Sequence, residues 1–349
     1  MLLIENPYTN KRIEFHILQS FPVTCLNRDD VGSPKTAYIG GTTRARVSSQ
    51  CWKRQIRLMM HELGTSIGIR TKFLQSKIQD ACKDLEADEE TAEAAAGAIA
   101  EMLTKDTLHF ISQKEIDALA FYCKEKEFNP KNFKTKEVIK VHKESFNPNV
   151  DGLDIALFGR MVAQAPDLNI EAAASFSHAI STHKAHSEID FFTAIDDFNQ
   201  KDNAGSSHLG NLEFNAATYY RYVSIDLGLL YNNCHGDENF EKALDCFIKA
   251  LFLAVPNARQ SSQSGACNWD YAQILVRKGQ RLQLSFETAV KPREEGYLQA
   301  SIDEMKDMLE KKEKLSGSLY GKIASYEFGL EEDFTIDSLC TKVIEDIKN

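Results

Sequence analysis

The sequence has 349 residues, 43% hydrophobic and 26% charged, with only 8 Pro and 18 Gly, which excludes a disordered or fibrous chain and allows two average domains or one elaborated one. A formal net charge of −10 argues, taken alone, against nucleic acid as a partner. No apolar run approaches the roughly 18 residues of a membrane span, and MLLIENPYTNKR carries Glu5 where a signal peptide needs apolar residues, so a cytoplasmic protein without a membrane partner is expected.

Ile13, Phe15 and Ile17 alternate with polar residues and predict a first strand over 13–19, which runs into a loop rich in turn formers, SFPVTCLNRDDVGSP. Residues 37–39 and 42–47 flank Gly40-Gly41 as a hairpin flanks its two-residue turn, and alternation puts Arg44 and Arg46 on one side of the second strand. Ser48 and Ser49 are good caps for the helix QCWKRQIRLMMHEL, whose apolar stripe is Trp52, Ile56, Met59, Met60 and Leu63. Gln50, Lys53, Arg54 and Arg57 follow i, i+3, i+4, i+7 and form a cationic stripe on another face. From Val31 to His61 there is no acidic residue, while Lys35, Arg44, Arg46, Lys53, Arg54 and Arg57 supply six positive charges, so the rest of the chain sums to −16. Free backbone N–H groups at a helix start, with cations along its first turns, suit a phosphate. The competing reading is a solvated basic face, or one paired with acids elsewhere.

Residues 64–148 read as a helical insertion, with helical periodicity over 71–85 and 89–103 and high helix propensity over 114–127. The stretch 124–143 holds seven lysines against three glutamates and reads first as a solvated helical face. Residues 154–160 read as a buried strand. The polar run 196–212 has too little apolar content for core and predicts a protruding hairpin ahead of a strand over 218–225. A helix over 238–254 ends at Pro256, a hairpin follows from 271–277 and 281–286, and a helix covers 300–315. This order predicts an α+β fold, a ferredoxin-like sheet with large insertions.

Most enzyme signatures are missing: there is no GxGxxG, GxxxxGK[ST], HExxH or GxSxG. Eight cysteines without a CxxC pair read as reduced, buried thiols, and His178, His183 and His186 lack metal-ligand spacing, so neither metal nor cofactor is expected. Asp29 and Asp30 could hold Mg²⁺ for phosphodiester cleavage, but capping a turn or neutralising Arg28 is the favoured reading. Tyr219, Tyr220 and Tyr222 could stack on bases; without an RNP1-like string beside them, core packing is favoured.

Thr24-Cys25-Leu26-Asn27-Arg28-Asp29-Asp30, Gly40-Gly41 and Arg44-Ala45-Arg46-Val47-Ser48-Ser49-Gln50-Cys51-Trp52-Lys53-Arg54 together resemble the CasC family, the RAMP-superfamily backbone subunits of the type I-E CRISPR Cascade complex. The likeness continues in order through Gly159-Arg160-Met161, Ser177 to His183, Asp190 to Asp197, Ser207-His208-Leu209-Gly210 and Tyr220-Arg221-Tyr222. It implies a ferredoxin-like, RRM-like palm over 1–63, 151–190 and 218–349, helical fingers over 64–150 and a thumb hairpin over 191–217. It also implies a protein that is not an enzyme. Copies would stack head to tail along a guide crRNA, hold its backbone without reading its sequence, and present it in kinked segments for pairing with target DNA. The other implied partners are the large subunit, the small subunit, the guide-processing endonuclease and the subunit that binds the 5′ handle. By position, Arg28, Lys35, Ser48, Gln50, Lys53 and Arg57 would hold the RNA backbone; the basic segment adds Arg44, Arg46 and Arg54, and Arg259 is a weaker candidate. Met161, Phe192 and Ile195 would wedge at a nucleotide turned out of the stack. The alternative is a Mg²⁺-dependent ribonuclease of the type III backbone kind, built on Asp29 and Asp30.

Overall fold

A computed structural model describes residues 6–104, 108–147, 152–194, 208–236 and 240–348. Its strands are β1 (Lys11–Thr24), β2 (Thr36–Ile39), β3 (Thr42–Val47), β4 (Ile69–Thr71), β5 (His109–Ile111), β6 (Ala174–Phe176), β7 (Ala179–Ser181), β8 (Glu188–Ala194), β9 (His208–Asp226), β10 (Tyr271–Lys278) and β11 (Lys322–Phe328). Its helices are α1 (Ser49–Glu62), α2 (Leu74–Asp84), α3 (Glu89–Leu103), α4 (Gln113–Glu125), α5 (Thr135–Ser145), α6 (Leu153–Phe158), α7 (Leu227–Asn233), α8 (Phe240–Leu253), α9 (Gln260–Gln263), α10 (Leu298–Ser316) and α11 (Ile336–Lys348).

The main sheet runs β11-β10-β1-β9-β7-β3-β2, with β6 and β8 also pairing to β9, and its ladders are antiparallel. Nearly every residue of β1 is buried because both faces of the sheet are covered. Ile13, Phe15 and Ile17 share one core with Trp52 and Ile56 of α1 and Leu244, Phe247 and Ile248 of α8. On the other face Leu18 joins Tyr220, Tyr222, Ile302 and Met305 under α10. β9 is 19 residues long because it serves two partners. Its second half lies beside β1, and its first half pairs β8 from Glu188↔Phe214 to Ala194↔His208 as a two-stranded ribbon.

The insertion has its own core, built from residues such as Leu74, Ile78, Ile99, Leu119 and Val138 of α2 to α5. Val162, Ala165 and Leu168 belong to the same cluster, so the helical unit closes on residues past 150.

Two predicted strands are not strands. Residues 153–158 form α6, all of it buried up to Leu157, and periodicity alone does not separate a short buried helix from a buried strand. Residues 281–286 make no ladder with β10, whose two edges are taken by β1 and β11. Their backbone is captured by side chains on the sheet face instead: Leu282 N–H donates to Glu14 Oε1 (2.6 Å) and Leu284 N–H to the Tyr220 hydroxyl (3.1 Å). The cysteines are all free thiols, five of them buried and three half-buried. No helix among the described residues is long and apolar enough to cross a membrane.

Candidate nucleic-acid interface

The β2–β3 hairpin closes through Gly40 (φ +57°) and Gly41 (φ +74°), left-handed conformations that an Asn or Gly tolerates and other residues resist. A Cβ on Gly40 would also fall 1.7 Å from the Glu287 carbonyl oxygen, so only glycine fits there. Arg44, expected at the surface, is wholly buried. One Nη donates to the carbonyls of Ser181 (2.8 Å) and Thr182 (3.0 Å), the other to those of Phe286 and Glu287 (both 3.0 Å). Segment 286–287 covers the face on which Arg44 lies, so this guanidinium ties three parts of the fold and is no ligand for RNA. Arg46 stays half-exposed, its Nε donating to Thr36 O (3.0 Å).

Ser48 is the N-cap of α1, and its hydroxyl accepts from Cys51 N–H (3.3 Å), so that oxygen is engaged locally. Trp52, Ile56 and Met60 are buried, as the apolar stripe requires. The cationic stripe divides into two kinds. Arg57 is taken: its Nε sits 2.6 Å from Asp154 Oδ2, it donates to the Gly68 carbonyl, and it lies 5.2 Å over the Phe110 ring. Burial raises the Asp154 pKa, opposed by the Gly68 N–H and by Arg57; the pair joins α1 to α6, and Gly68, bound by both, ties in the insertion. Lys53 and Arg54 have no carboxylate within ion-pair reach among the described residues. Lys53 is half-buried over the rings of Phe176 (5.4 Å) and Phe158 (6.0 Å), and burial lowers its pKa. Arg54 and Gln50 are exposed beside it.

These side chains open onto a cavity of about 380 Å³ between α1 and the insertion, lined by Gln50, Lys53, Arg54, Arg70, Phe110 and Met161 among others, with no Asp or Glu in its wall. Met161 is 81% exposed. Sequence reasoning missed Arg70 and the rings of Phe110, Phe158 and Phe176, which come from separate elements and show no local pattern.

On the neighbouring loop Arg28 is exposed and Lys35 half-exposed, with Lys35 N–H on Asn27 O (2.8 Å). Asp29 Oδ1 accepts from the N–H groups of Val31 (3.0 Å) and Ser33 (2.9 Å), the turn-capping role favoured from sequence. Arg259 adopts φ +55° and reaches Cys25, whose pKa burial raises and Arg259 opposes.

On the ribbon, Phe192 is 40% exposed and lies across Gly210, its cross-strand partner, where a Cβ would come within 2.4 Å of the ring. Ile195 and the predicted hairpin tip lie outside the described residues. Phe191, 70% exposed on the same ribbon, was not singled out in the sequence. The three tyrosines are core. Tyr219 reaches Asn215 Oδ1 (3.3 Å), Tyr220 meets His16 Nδ1 (2.9 Å), and Tyr222 donates to Glu14, leaving no ring for a base. His183 stacks on Tyr297 at 3.7 Å while its Nε2 accepts from Thr218 N–H, and no metal-competent group of three His, Cys, Asp or Glu exists among the described residues.

Fold and face together define a mixed α+β protein with an antiparallel sheet, a helical insertion and a groove whose walls supply cations and rings without acids. The chain belongs to the CT1975-like protein family, the match running over residues 13–336. No curated protein matches it. Among solved structures it is similar to a chain of a "CRISPR RNA-guided surveillance complex, pre-nicking", with TM-score 0.85, 26% identity, and 96% of this chain and 99% of that chain covered. It shares its fold with a chain of a "CRISPR RNA-guided surveillance complex", with TM-score 0.72, 24% identity, and coverage of 96% and 99%.

Proposed function

We propose that this protein is a Cascade-type CRISPR subunit, and within that class the backbone subunit of the type I-E kind. It oligomerises head to tail along a guide crRNA, holds the phosphate backbone without sequence preference, and presents it in kinked segments to target DNA. The observation that carries this reading is the acid-free groove in which Lys53 and Arg54, without a carboxylate partner among the described residues, stand beside Phe158, Phe176 and the exposed Met161. Cations without carboxylate partners attract phosphate, and an exposed unbranched apolar side chain replaces stacking where a base is turned out.

Further support comes from the order β10-β1-β9-β7 with α1 and α8 in the two crossovers, which is the 4-1-3-2 arrangement of a ferredoxin-like βαββαβ unit. The β8–β9 ribbon and the helical insertion correspond to thumb and fingers. Confining positive charge to one groove of an acidic protein limits unspecific nucleic-acid binding. In this reading the chain is not an enzyme, and guide processing and target cleavage belong to partner subunits.

The test is filter binding of a repeat-spacer RNA across a salt series, with Lys53→Ala and Arg54→Ala. The expected result is weaker binding with a shallower salt slope in both; unchanged affinity and slope in both would sink the reading.

A further inference from the structure

Directly before Met161 in the chain is an almost wholly buried arginine. Arg160 is 5% exposed and forms part of the cavity wall, while its guanidinium contacts the helical insertion. Its Nη1 lies 2.7 Å from Glu115 Oε1, its Nε donates to Leu168 O (3.0 Å), and its guanidinium carbon stands 4.9 Å over the Phe146 ring. Glu115 is fully buried and belongs to the capping box of α4, where its Oε2 accepts from Ser112 N–H (2.7 Å) and its own N–H donates to Ser112 Oγ (3.2 Å). His142 of α5 brings Nδ1 to 3.0 Å from the same Oε1, and its Nε2 stands 3.4 Å from Nε2 of His109 on β5. Burial works to raise the Glu115 pKa, but His142, Arg160 and the Ser112 N–H outweigh it and hold the carboxyl down at about 2.

The backbone around Arg160 is fixed as well. Arg160 and Ile170 exchange two N–H···O bonds of 2.9 Å, and Val162 N–H donates to Asn169 Oδ1 (2.6 Å). Gly159 sits at φ +79° with Ile170 O 2.9 Å from where a Cβ would be, so the turn admits only glycine. The backbone on both sides of Met161 is therefore held, while Met161 itself projects 81% exposed at the mouth of the cavity.

We infer that Arg160 is a positioning residue: clamped on Glu115, it uses the helical insertion as an anvil that sets the height and direction of Met161 where the bound strand is kinked. An unbranched thioether on a loose loop would stack with a base only part of the time, because three rotatable bonds and a mobile backbone must be ordered at each contact. Fixing the backbone on both sides removes most of that ordering from the binding step. This inference rests on the reading of the groove as an RNA site.

The experiment uses guide RNAs carrying a single 2-aminopurine, stepped through successive positions, bound to the assembled protein. Wild type is expected to give a repeating pattern of bright, unstacked positions. Arg160→Lys loses the fork geometry and the ring contact, and Glu115→Gln keeps size but removes the charge. Both are expected to keep RNA affinity within about twofold while the bright-to-dim contrast falls at least about twofold. Met161→Ala should lose the same contrast with its melting temperature unchanged. A general structural defect would lower affinity and contrast together, so contrast lost at constant affinity separates the two. Glu115→Gln or Arg160→Lys bound with wild-type contrast overturns the positioning role and leaves the RNA reading standing. Wild type that binds no RNA overturns the RNA reading itself. Should Arg160→Lys fail to fold, Glu115→Gln carries the test alone.

Discussion

The basic segment behaves in opposite ways at its two ends. On β3, Arg44 is buried and surrounded by four backbone carbonyls, which solvate the guanidinium as water would. On α1, Lys53 meets rings and Arg54 is exposed beside it on the same cavity. In sequence the two ends are the same kind of signal, an arginine or lysine in a run free of acids. What separates them is whether another part of the chain arrives with acceptors: residues 181–182 and 286–287 do so at Arg44, and Asp154 does so at Arg57. A cation left without acceptors in a groove is available to a ligand's charge, and one already given them holds the fold together.

Arg44→Met tests this contrast with the largest effect. It leaves carbonyl oxygens buried without a donor and should destabilise the protein by about 3–5 kcal/mol, read as a fall in melting temperature. A variant with wild-type melting temperature and lost RNA binding would put Arg44 in the other class.

Acid probes the buried groups from another direction. His16 and His109 are held to about 3, in both cases chiefly by burial, with Arg277 adding to it at His16 and His142 and Arg160 at His109. Both are therefore neutral in the fold and gain protons on unfolding below their ordinary value. Their contribution to stability is complete above about pH 6.5 and is lost progressively as pH falls toward 3, at roughly 2 kcal/mol per histidine by pH 5. Chemical denaturation at pH 7 and pH 5 should show this loss, and His109→Gln should flatten the part that belongs to the insertion; a stability independent of pH over that range would contradict it.

Lys53→Ala combined with Arg54→Ala should reduce the salt slope of RNA binding by about 2 if each cation meets one phosphate, and shift stability by no more than about 0.5 kcal/mol. Loss of fold in this double variant would move both residues to the structural class. The smallest effect is expected at Asp29→Asn, whose amide oxygen still accepts from Val31 and Ser33. Its stability should stay within about 0.5 kcal/mol of wild type, and bound RNA should remain intact with Mg²⁺ in both proteins. RNA cut by wild type and spared by the variant would favour the ribonuclease reading.

Much of the frame was legible in the sequence because it is written locally. The alternation in β1, the glycine pair of the hairpin, Ser48 as cap and the 3.6-residue stripe of α1 are all decided within a few residues. The fate of each arginine was not, since the carbonyls around Arg44 come from 137 to 243 residues away in sequence. The same holds for α6, where a short apolar run took the helical option once its Asp154 could accept from Gly68 and Arg57. Residues 281–286 carried strand-like alternation, but the sheet side chains of Glu14, Tyr220 and Tyr222 took their N–H groups before any strand could. Arg70 and Phe110 come to the groove from the insertion, and the rings over Lys53 come from α6 and β6, so none of them shows a pattern near α1 in sequence.

The central claim is tested most directly by co-expressing the chain with a repeat-spacer transcript and its neighbouring subunits, purifying by size, and sequencing the RNA that travels with it. The account predicts a large particle carrying one uniform guide. A monomer free of RNA, under conditions in which the partners assemble, would contradict it.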